Sequence, residues 1–409
     1  MRANAVRMAT MAVVALVSVG RAHAGGLERE GYDIDLLFDS SPFAFETRET
    51  YVSPHRVLKH VHSVDGTAPA TGDATSARES KDYVTSRIGM KFAFGEPIDC
   101  LFQYSQPWGA HVAPGNDWAG ATSNIETELE SDSLEATCSY AFDLGPGRFR
   151  AIGGVVGEKL SGFKEKRVFL PLPTGPVATV GRLDMNADGH AWRAGVAYEI
   201  PDIALRASLV YTSQVDLDDI DGSLVVGKGT PFETRYSGFA SAAMPRTLAL
   251  KLRSGIAPGW LAYGSLEWAD WSVLQSIPFC AKGAGEDECT MSSRSKLTSL
   301  DLYYRDGWTV SGGVGHAITK RLTTAAGLTW DRGVSNGYGS STDSWTVDAA
   351  LVVTPDERWR VTLAGAAGVM TGGRSNALYE DDGQLLDPVS YDFDADFVGA
   401  LSLSAALRF

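Results

Sequence analysis

The last nineteen residues constrain the architecture more tightly than any other stretch of the chain. From Tyr391 to Phe409 one set of alternate positions reads Tyr391, Phe393, Ala395, Phe397, Gly399, Leu401, Leu403, Ala405, Leu407 and Phe409. The other set opens with Asp392, Asp394 and Asp396 and closes with Arg408. Successive side chains of a strand point to opposite faces, so this pattern is a strand with one apolar and one mostly polar face. It outruns the roughly five or six residues of an ordinary soluble strand. A tilted membrane strand needs about 9–11 residues in the hydrocarbon, with aromatics near the interfaces. Tyr391, Phe393 and Phe409 stand at its two ends, and the pattern predicts a strand that crosses a membrane.

The same alternation recurs upstream. Trp345, Val347, Leu351 and Val353 oppose Thr346 and Asp348; Leu322, Thr324, Ala326, Leu328 and Trp330 oppose Arg321 and Asp331; Trp308, Val310 and Val314 oppose Thr309 and Ser311. Leu248, Leu250 and Leu252 oppose Lys251 and Arg253, and Trp192, Val196 and Tyr198 oppose Arg193 and Glu199. Charges on the second face suit a wet lumen and would be costly in a dry core. Tight turns, such as Gly95-Glu96-Pro97 and Pro201-Asp202, alternate with longer polar segments near 63–81, 109–124, 165–183, 215–243, 274–296, 333–342 and 371–390. The spacing predicts fourteen strands, near 44–62, 83–94, 98–108, 125–142, 148–164, 184–199, 203–214, 244–255, 260–273, 297–317, 321–332, 343–353, 358–370 and 391–409. The expected fold is all-β: a 14-stranded antiparallel transmembrane β-barrel with short periplasmic turns and long external loops.

Two places break the rhythm. The apolar parity of the fourth strand shifts between Leu129 and Leu134, which suggests a bulge near Ser131 to Ser133. Pro107 removes a backbone donor near the outer end of the third strand, and it either ends that strand or marks a gap in the wall.

The N-terminus carries an export signal. Arg2 and Arg7 precede the short apolar run Met8 to Val19, and Ala22-His23-Ala24 supplies a small-x-small cleavage site. Residues 1–24 are therefore a signal peptide, 25–42 a segment before the first strand, and 43–409 the barrel. No later apolar run is long enough for a spanning helix. With a net charge of −14 and no basic block, the chain is a poor nucleic-acid binder. Its four cysteines fall in two local pairs. Parity places Cys100 and Cys138 on the apolar faces of adjacent strands, and Cys280 and Cys289 would close a small external loop, so two disulfides are expected.

Arg193, Arg206, Lys251, Arg253 and Arg321 fall on the inferred lumen face. One such cation could hold a carboxylate, Arg193, Lys251 and Arg253 being the choices; alternatively all pair with Glu199, Asp301, Asp331 and Asp348. Trp268 and Trp271, three apart, are either interface aromatics or a lumen wall. His60 and His62 share a face but have no third ligand in sight, so no metal and no cofactor is expected. There is no Gly-x-Ser-x-Gly elbow, and His111 and His316 have no placed nucleophile, so no enzyme is predicted.

Several segments, in this order, resemble the FadL-type long-chain fatty-acid and hydrocarbon transporters of Gram-negative outer membranes. They are Tyr104-Ser105-Gln106-Pro107-Trp108-Gly109-Ala110, Met244-Pro245, Leu266-Glu267-Trp268-Ala269-Asp270-Trp271-Ser272, Asp306-Gly307-Trp308-Thr309-Val310 and the terminal Phe409. The resemblance implies a barrel closed by a small N-terminal hatch in the lumen, here the short segment 25–42, which lacks the family's Asn-Pro-Ala and offers Ser40-Ser41-Pro42-Phe43 instead. It also implies passive transport of hydrophobic molecules, long-chain fatty acids first and aromatic or aliphatic hydrocarbons second. A ligand groove is then expected among the external loops, at Val168, Phe169 and Leu172 with Leu224 and Val225, unless these segments only pack on each other. Trp108, Trp268 and Trp271 join the ligand candidates, and Pro107 becomes a lateral-gate candidate. Implied partners are the hydrophobic ligand, outer-membrane lipid and lipopolysaccharide, and the barrel-assembly machinery through the C-terminal strand. A lipid hydrolase or an adhesin barrel is the alternative of a different class.

Overall fold

The computed structural model describes residues 26–66, 74–173, 175–380 and 383–409; the predicted signal, 1–24, lies outside them. Fourteen antiparallel strands form a closed barrel. The first strand (Phe43–Pro54) pairs with the second (Tyr83–Ala93) on one side and with the fourteenth (Asp396–Arg408) on the other, which completes the ring. Closure matters because an open edge in hydrocarbon would leave a row of backbone donors and acceptors without partners. Between them run the third (Ile98–Ser105, resumed by Gly109–Val112), fourth (Glu126–Leu144), fifth (Gly147–Leu172) and sixth (Gly175–Ile200) strands. The seventh (Leu205–Thr212, then Val215–Val226), eighth (Thr234–Met244, then Thr247–Ala257), ninth (Trp260–Ala269, then Ser276–Ala281) and tenth (Lys296–Asp301, then Gly307–Ala317) are each built in two parts. The eleventh (Leu322–Asp331), twelfth (Ser344–Val353) and thirteenth (Trp359–Met370) are continuous.

The outward face is apolar and exposed: Leu134, Val155, Trp192, Val347, Leu401 and Leu403 all present their side chains outward. The inward face is polar and buried, with Arg87, Lys91, Gln103, Glu135 and Arg193 shielded inside the ring. A soluble fold would invert this arrangement, so the band of exposed apolar residues is the surface that meets hydrocarbon. Cys100 and Cys138 stand directly opposite each other in the ladder and are bonded, with Cα atoms 4.0 Å apart. Cys280 and Cys289 are bonded across the outer part of the ninth strand.

The sequence expectations need correction in several places. The segments 165–183 and 215–243 are mostly not irregular loops, because the barrel strands continue through them as β-hairpins beyond the membrane, and in 274–296 the ninth strand resumes over Ser276–Ala281 before an irregular loop. The C-terminal pattern is two strands rather than one: Val389–Phe393 belongs to a small external sheet, and the barrel strand starts at Asp396. Tyr391 and Phe393 are therefore buried among external residues, and Phe397 and Phe409 are the aromatics at the two ends of the spanning strand. Arg321 is exposed in a turn rather than facing the lumen.

The expected bulge at Ser131 to Ser133 is absent. The fourth strand pairs with the fifth without a break from Glu126 to Leu144, and the same odd positions point inward throughout. What changes is the surroundings. Outside the membrane the outward residues, Glu130 and Asp132, meet water and the inward Leu129 meets an apolar interior; within the membrane Leu134 meets lipid and Glu135 faces the lumen. The polarity of the two faces inverts at the same level on the neighbours, where Leu160 and Met185 point inward while Val155 and Trp192 point outward. The parity shift read from the sequence is the outer membrane boundary. Residues 134–142 of the fourth strand then span the hydrocarbon, close to the roughly nine residues a tilted strand needs.

Candidate functional site

The N-terminal segment supplies acids to a lumen wall rich in bases. Asp33 lies 3.0 Å from Lys251, 3.2 Å from Arg87 and 3.9 Å from Arg48. Asp35 is 3.0 Å from Arg206 and 3.1 Å from Lys251, and Asp39 is 2.8 Å from Arg408. The short 3-10 turn Asp35–Phe38 fixes this spacing, with Leu37 and Phe38 buried and Phe38 beneath the Arg206 guanidinium at 4.2 Å. In bulk water such pairs would be weak; shielded in the lumen, they tie the segment to five strands.

Next to this segment the third strand is broken. Its ladder with the second strand ends at Arg87 opposite Ser105; the Ser86 N–H then donates to the Gln106 side chain at 3.1 Å, and backbone pairing resumes at the bridge Ser80–Val112. Across the interruption the Pro107 carbonyl accepts the Arg29 and Gly31 N–H groups at 2.9 and 3.3 Å, and the Gly109 N–H donates to the Leu27 carbonyl at 2.7 Å. Pro107 therefore interrupts the strand instead of ending it. The freed backbone groups are satisfied by the N-terminal segment, as burial demands. Arg29 fills the adjacent space, 3% exposed, with its guanidinium 4.7 Å from the Tyr83 ring centre.

Above this junction lies a run of edge-to-face aromatic contacts, Tyr32–Trp108 at 5.3 Å, Trp108–Trp271 at 5.3 Å and Trp271–Tyr304 at 6.2 Å. Tyr32 also donates to Glu158 at 2.5 Å. Trp271 packs so closely on Gly26 that a Cβ there would sit 2.8 Å from the indole, at a backbone φ of +62°. Only glycine suits both conditions. Over the aromatics sits an apolar cluster from the inward faces of the strand extensions, including Leu160, Leu183, Met185, Leu217, Met244, Ile277 and Phe279. It encloses a narrow cavity of about 30 Å³ whose lining, Asn186 aside, is entirely apolar. Such a cavity offers water no hydrogen bond and favours an apolar guest. Met185 and Met244 give its wall unbranched, adaptable side chains.

The residues singled out from the sequence separate into groups. Trp108 and Trp271, each 1% exposed, form the aromatic floor of the apolar cluster. Trp268 does not join them: it shares the outward parity of Leu266, donates to Asp306 at 3.1 Å and lies under Arg246. Val168, Phe169 and Leu172 lie near the tip of the hairpin between the fifth and sixth strands, where Phe169 is 49% exposed. Leu224 and Val225 pair with Leu183 and Arg182 of the sixth strand; Leu224 packs on the apolar cluster and Val225 is buried. Leu170 reaches toward Gly227, so the two segments are neighbours. Of the three carboxylate candidates, Arg193 is committed to Glu135 at 2.8 Å, and Lys251 to Asp33 and Asp35. Arg253 has no hydrogen bond or ion pair among the described residues, and its Nε is buried without a partner. His60 lies 3.4 Å from Asp392, and no group of metal ligands is gathered among the described residues.

Sequence reasoning missed the cavity. Its signal lies in alternations such as Leu183, Met185 and Ala187 against Asp184, Asn186 and Asp188, at the boundary of the expected loop 165–183 and the expected strand 184–199, where period two alone does not tell an apolar face that meets an apolar interior from one that meets lipid.

No curated protein matches the chain significantly. Among solved structures, a FadL homologue of Pseudomonas aeruginosa superposes with a TM-score of 0.75 at 15% identity, covering 98% of this chain and 99% of that one. The toluene transporter TodX of P. putida gives 0.58 at 15% identity, with 92% of each chain covered. The toluene transporter TbuX of Ralstonia pickettii gives 0.59 at 14%, covering 97% and 99%. At these identities the likeness establishes the fold, and a family model matching residues 55–339 establishes the rest: the chain belongs to the outer membrane protein transport proteins of the OMPP1/FadL/TodX family, which carry hydrophobic substrates across the bacterial outer membrane.

Proposed function

We propose that this barrel takes up long-chain fatty acids by passive diffusion, with residues 26–42 acting as a hatch. The observation that carries the reading is the apolar cavity over the aromatic floor, set in a lumen that is otherwise charged. Ligand is captured at the hairpin tips around Phe169, passes between the extended hairpins into the cavity, and leaves sideways at the break around Pro107. Burial of alkyl surface, at about 25 cal/mol per Å², drives the first two steps without covalent chemistry. Aromatic hydrocarbons remain the second reading, because the toluene transporters share the fold.

The test is uptake of radiolabelled oleate and of toluene by proteoliposomes. Ala242→Phe adds a ring to the cavity wall without adding charge. It should cut oleate uptake several-fold while the barrel remains folded. Unchanged oleate uptake in that variant would remove the cavity from the route, and uptake of toluene alone by the wild type would select the second reading.

A further inference from the structure

The barrel wall is interrupted again between the eighth and ninth strands. Outside the membrane these two pair only at Gly238–Ala281 and Phe239–Cys280, and their ladder resumes at Thr247–Ala269. Between these points, among the described residues, no backbone hydrogen bond joins 240–245 to 271–279; just below, the Asp270 N–H donates to the Arg246 carbonyl at 3.1 Å. The ninth strand is held by the tenth instead. After the 3-10 turn Trp271–Val273, the Leu274 carbonyl accepts the Tyr304 N–H at 3.1 Å and the Gln275 carbonyl accepts the Leu302 N–H at 2.9 Å. Pro245 on one lip and Pro278 on the other have no donor to offer, and proline in a sheet belongs at an edge.

This seam backs onto the apolar cavity. Ala242 and Met244 on one lip, and Leu274, Ile277 and Phe279 on the other, all line it. The seam starts at the outer membrane boundary: Leu248, just below, points outward and is 37% exposed, whereas Met244, just above, points inward and is 1% exposed. The outward positions of the eighth strand beside the seam are small, Ser241 exposed and Ala243 half-buried. Side chains such as Met244 and Leu274 therefore close it, and an unbranched methionine can move aside with no backbone bond across the seam to break. The nearest charges, Arg246 and Asp270, lie 2.8 Å apart and neutralise each other, so nothing here selects a charged head. At the inner end Trp271 meets Trp108 beside the Pro107 break, and the two interruptions share one aromatic floor.

We propose that this seam is a second port, through which uncharged apolar molecules dissolved in the outer leaflet enter the cavity from the side without visiting the hairpin tips. The proposal rests on the reading that the cavity lies on the transport route, and it adds a second source of ligand, the membrane itself. Such a ligand exchanges one apolar environment for another, so capture from water is not the step that drives its entry.

The probe is hexadecane bearing a diazirine, dissolved in phospholipid before the mature barrel is reconstituted, with photolabelled residues mapped by mass spectrometry. Wild type should be labelled at Met244 and Leu274. Ala243→Trp puts a bulky ring on the outer side of the seam and should lose that labelling several-fold, while lipid-facing Leu248 is labelled alike in both and reports normal insertion. Wild type labelled at Leu248 but not at Met244 or Leu274 overturns the port, a result that needs no variant to fold. Undiminished labelling of Met244 and Leu274 in Ala243→Trp overturns it too, because the probe then arrives by another way. A diazirine-bearing oleate delivered from water separates this proposal from the one beneath it. If that probe labels the cavity of a wild type that hexadecane leaves unlabelled, entry at the hairpin tips survives and the seam does not. If neither probe labels the cavity, it falls out of the transport route altogether.

Discussion

Arg193 and Glu135 face each other in the lumen with side chains only 1% and 2% exposed. The guanidinium also donates to Thr212 and Thr137 at 3.1 and 3.0 Å and lies 5.1 Å from the Tyr32 ring centre. Breaking a buried pair of this kind leaves one charge without compensation, a loss of about 3–5 kcal/mol, whereas removing both charges is far milder. Arg193→Met should therefore lower the urea midpoint of the barrel sharply in lipid. The double variant Glu135→Gln, Arg193→Met should recover most of that loss. Equal midpoints for wild type and the single variant would show that water reaches the pair. Period two placed Arg193 in the lumen, but its partner was not legible: Glu135 sits two strands away. The acids that hold the other bases, Asp33, Asp35 and Asp39, come from a segment with no period to read.

At the scale of elements, strand existence and order were readable because lipid outside and charge inside impose a strict alternation. Strand length was not. Above the membrane the outward face meets water and the inward face meets apolar side chains, so the alternation continues with its sign reversed, as at Leu183 and Met185. A rule that assigns apolar positions to lipid then reports a bulge at Ser131 or a loop at 165–183. The hairpin of the fifth and sixth strands also decides which residue can test capture. Val225 is 4% exposed, and an aspartate there would be buried without a partner. Phe169 is 49% exposed, so Phe169→Asp changes the surface and little else. That variant should insert normally and take up oleate more slowly at limiting concentration, with uptake recovering when ligand is abundant. Wild-type uptake at every concentration would mean that the hairpin tip packs only on its neighbour.

The molecule closes at one seam, where the fourteenth strand meets the first. The Phe43 N–H donates to the Phe409 carbonyl at 3.3 Å, the Phe409 N–H donates to the Phe43 carbonyl at 3.0 Å, and the two rings lie 5.9 Å apart. Phe409 is nonetheless 59% exposed, so its ring contributes little burial. Deleting it removes two terminal hydrogen bonds at one end of a long ladder, a loss on the order of 1–2 kcal/mol at most. The finished barrel should scarcely notice. Assembly is different, because Phe409 ends the alternation Leu401, Leu403, Ala405, Leu407 that an assembly machine would have to recognise before the ring exists. Two measurements therefore diverge. Refolded from urea into detergent, the deletion variant should form heat-modifiable barrel with nearly the wild-type midpoint. Expressed in cells, it should accumulate as unassembled, degraded protein in the periplasm. A loss in both settings would make Phe409 a structural clamp at the seam, and normal outer-membrane yield in cells would mean that the terminal strand is not the part recognised.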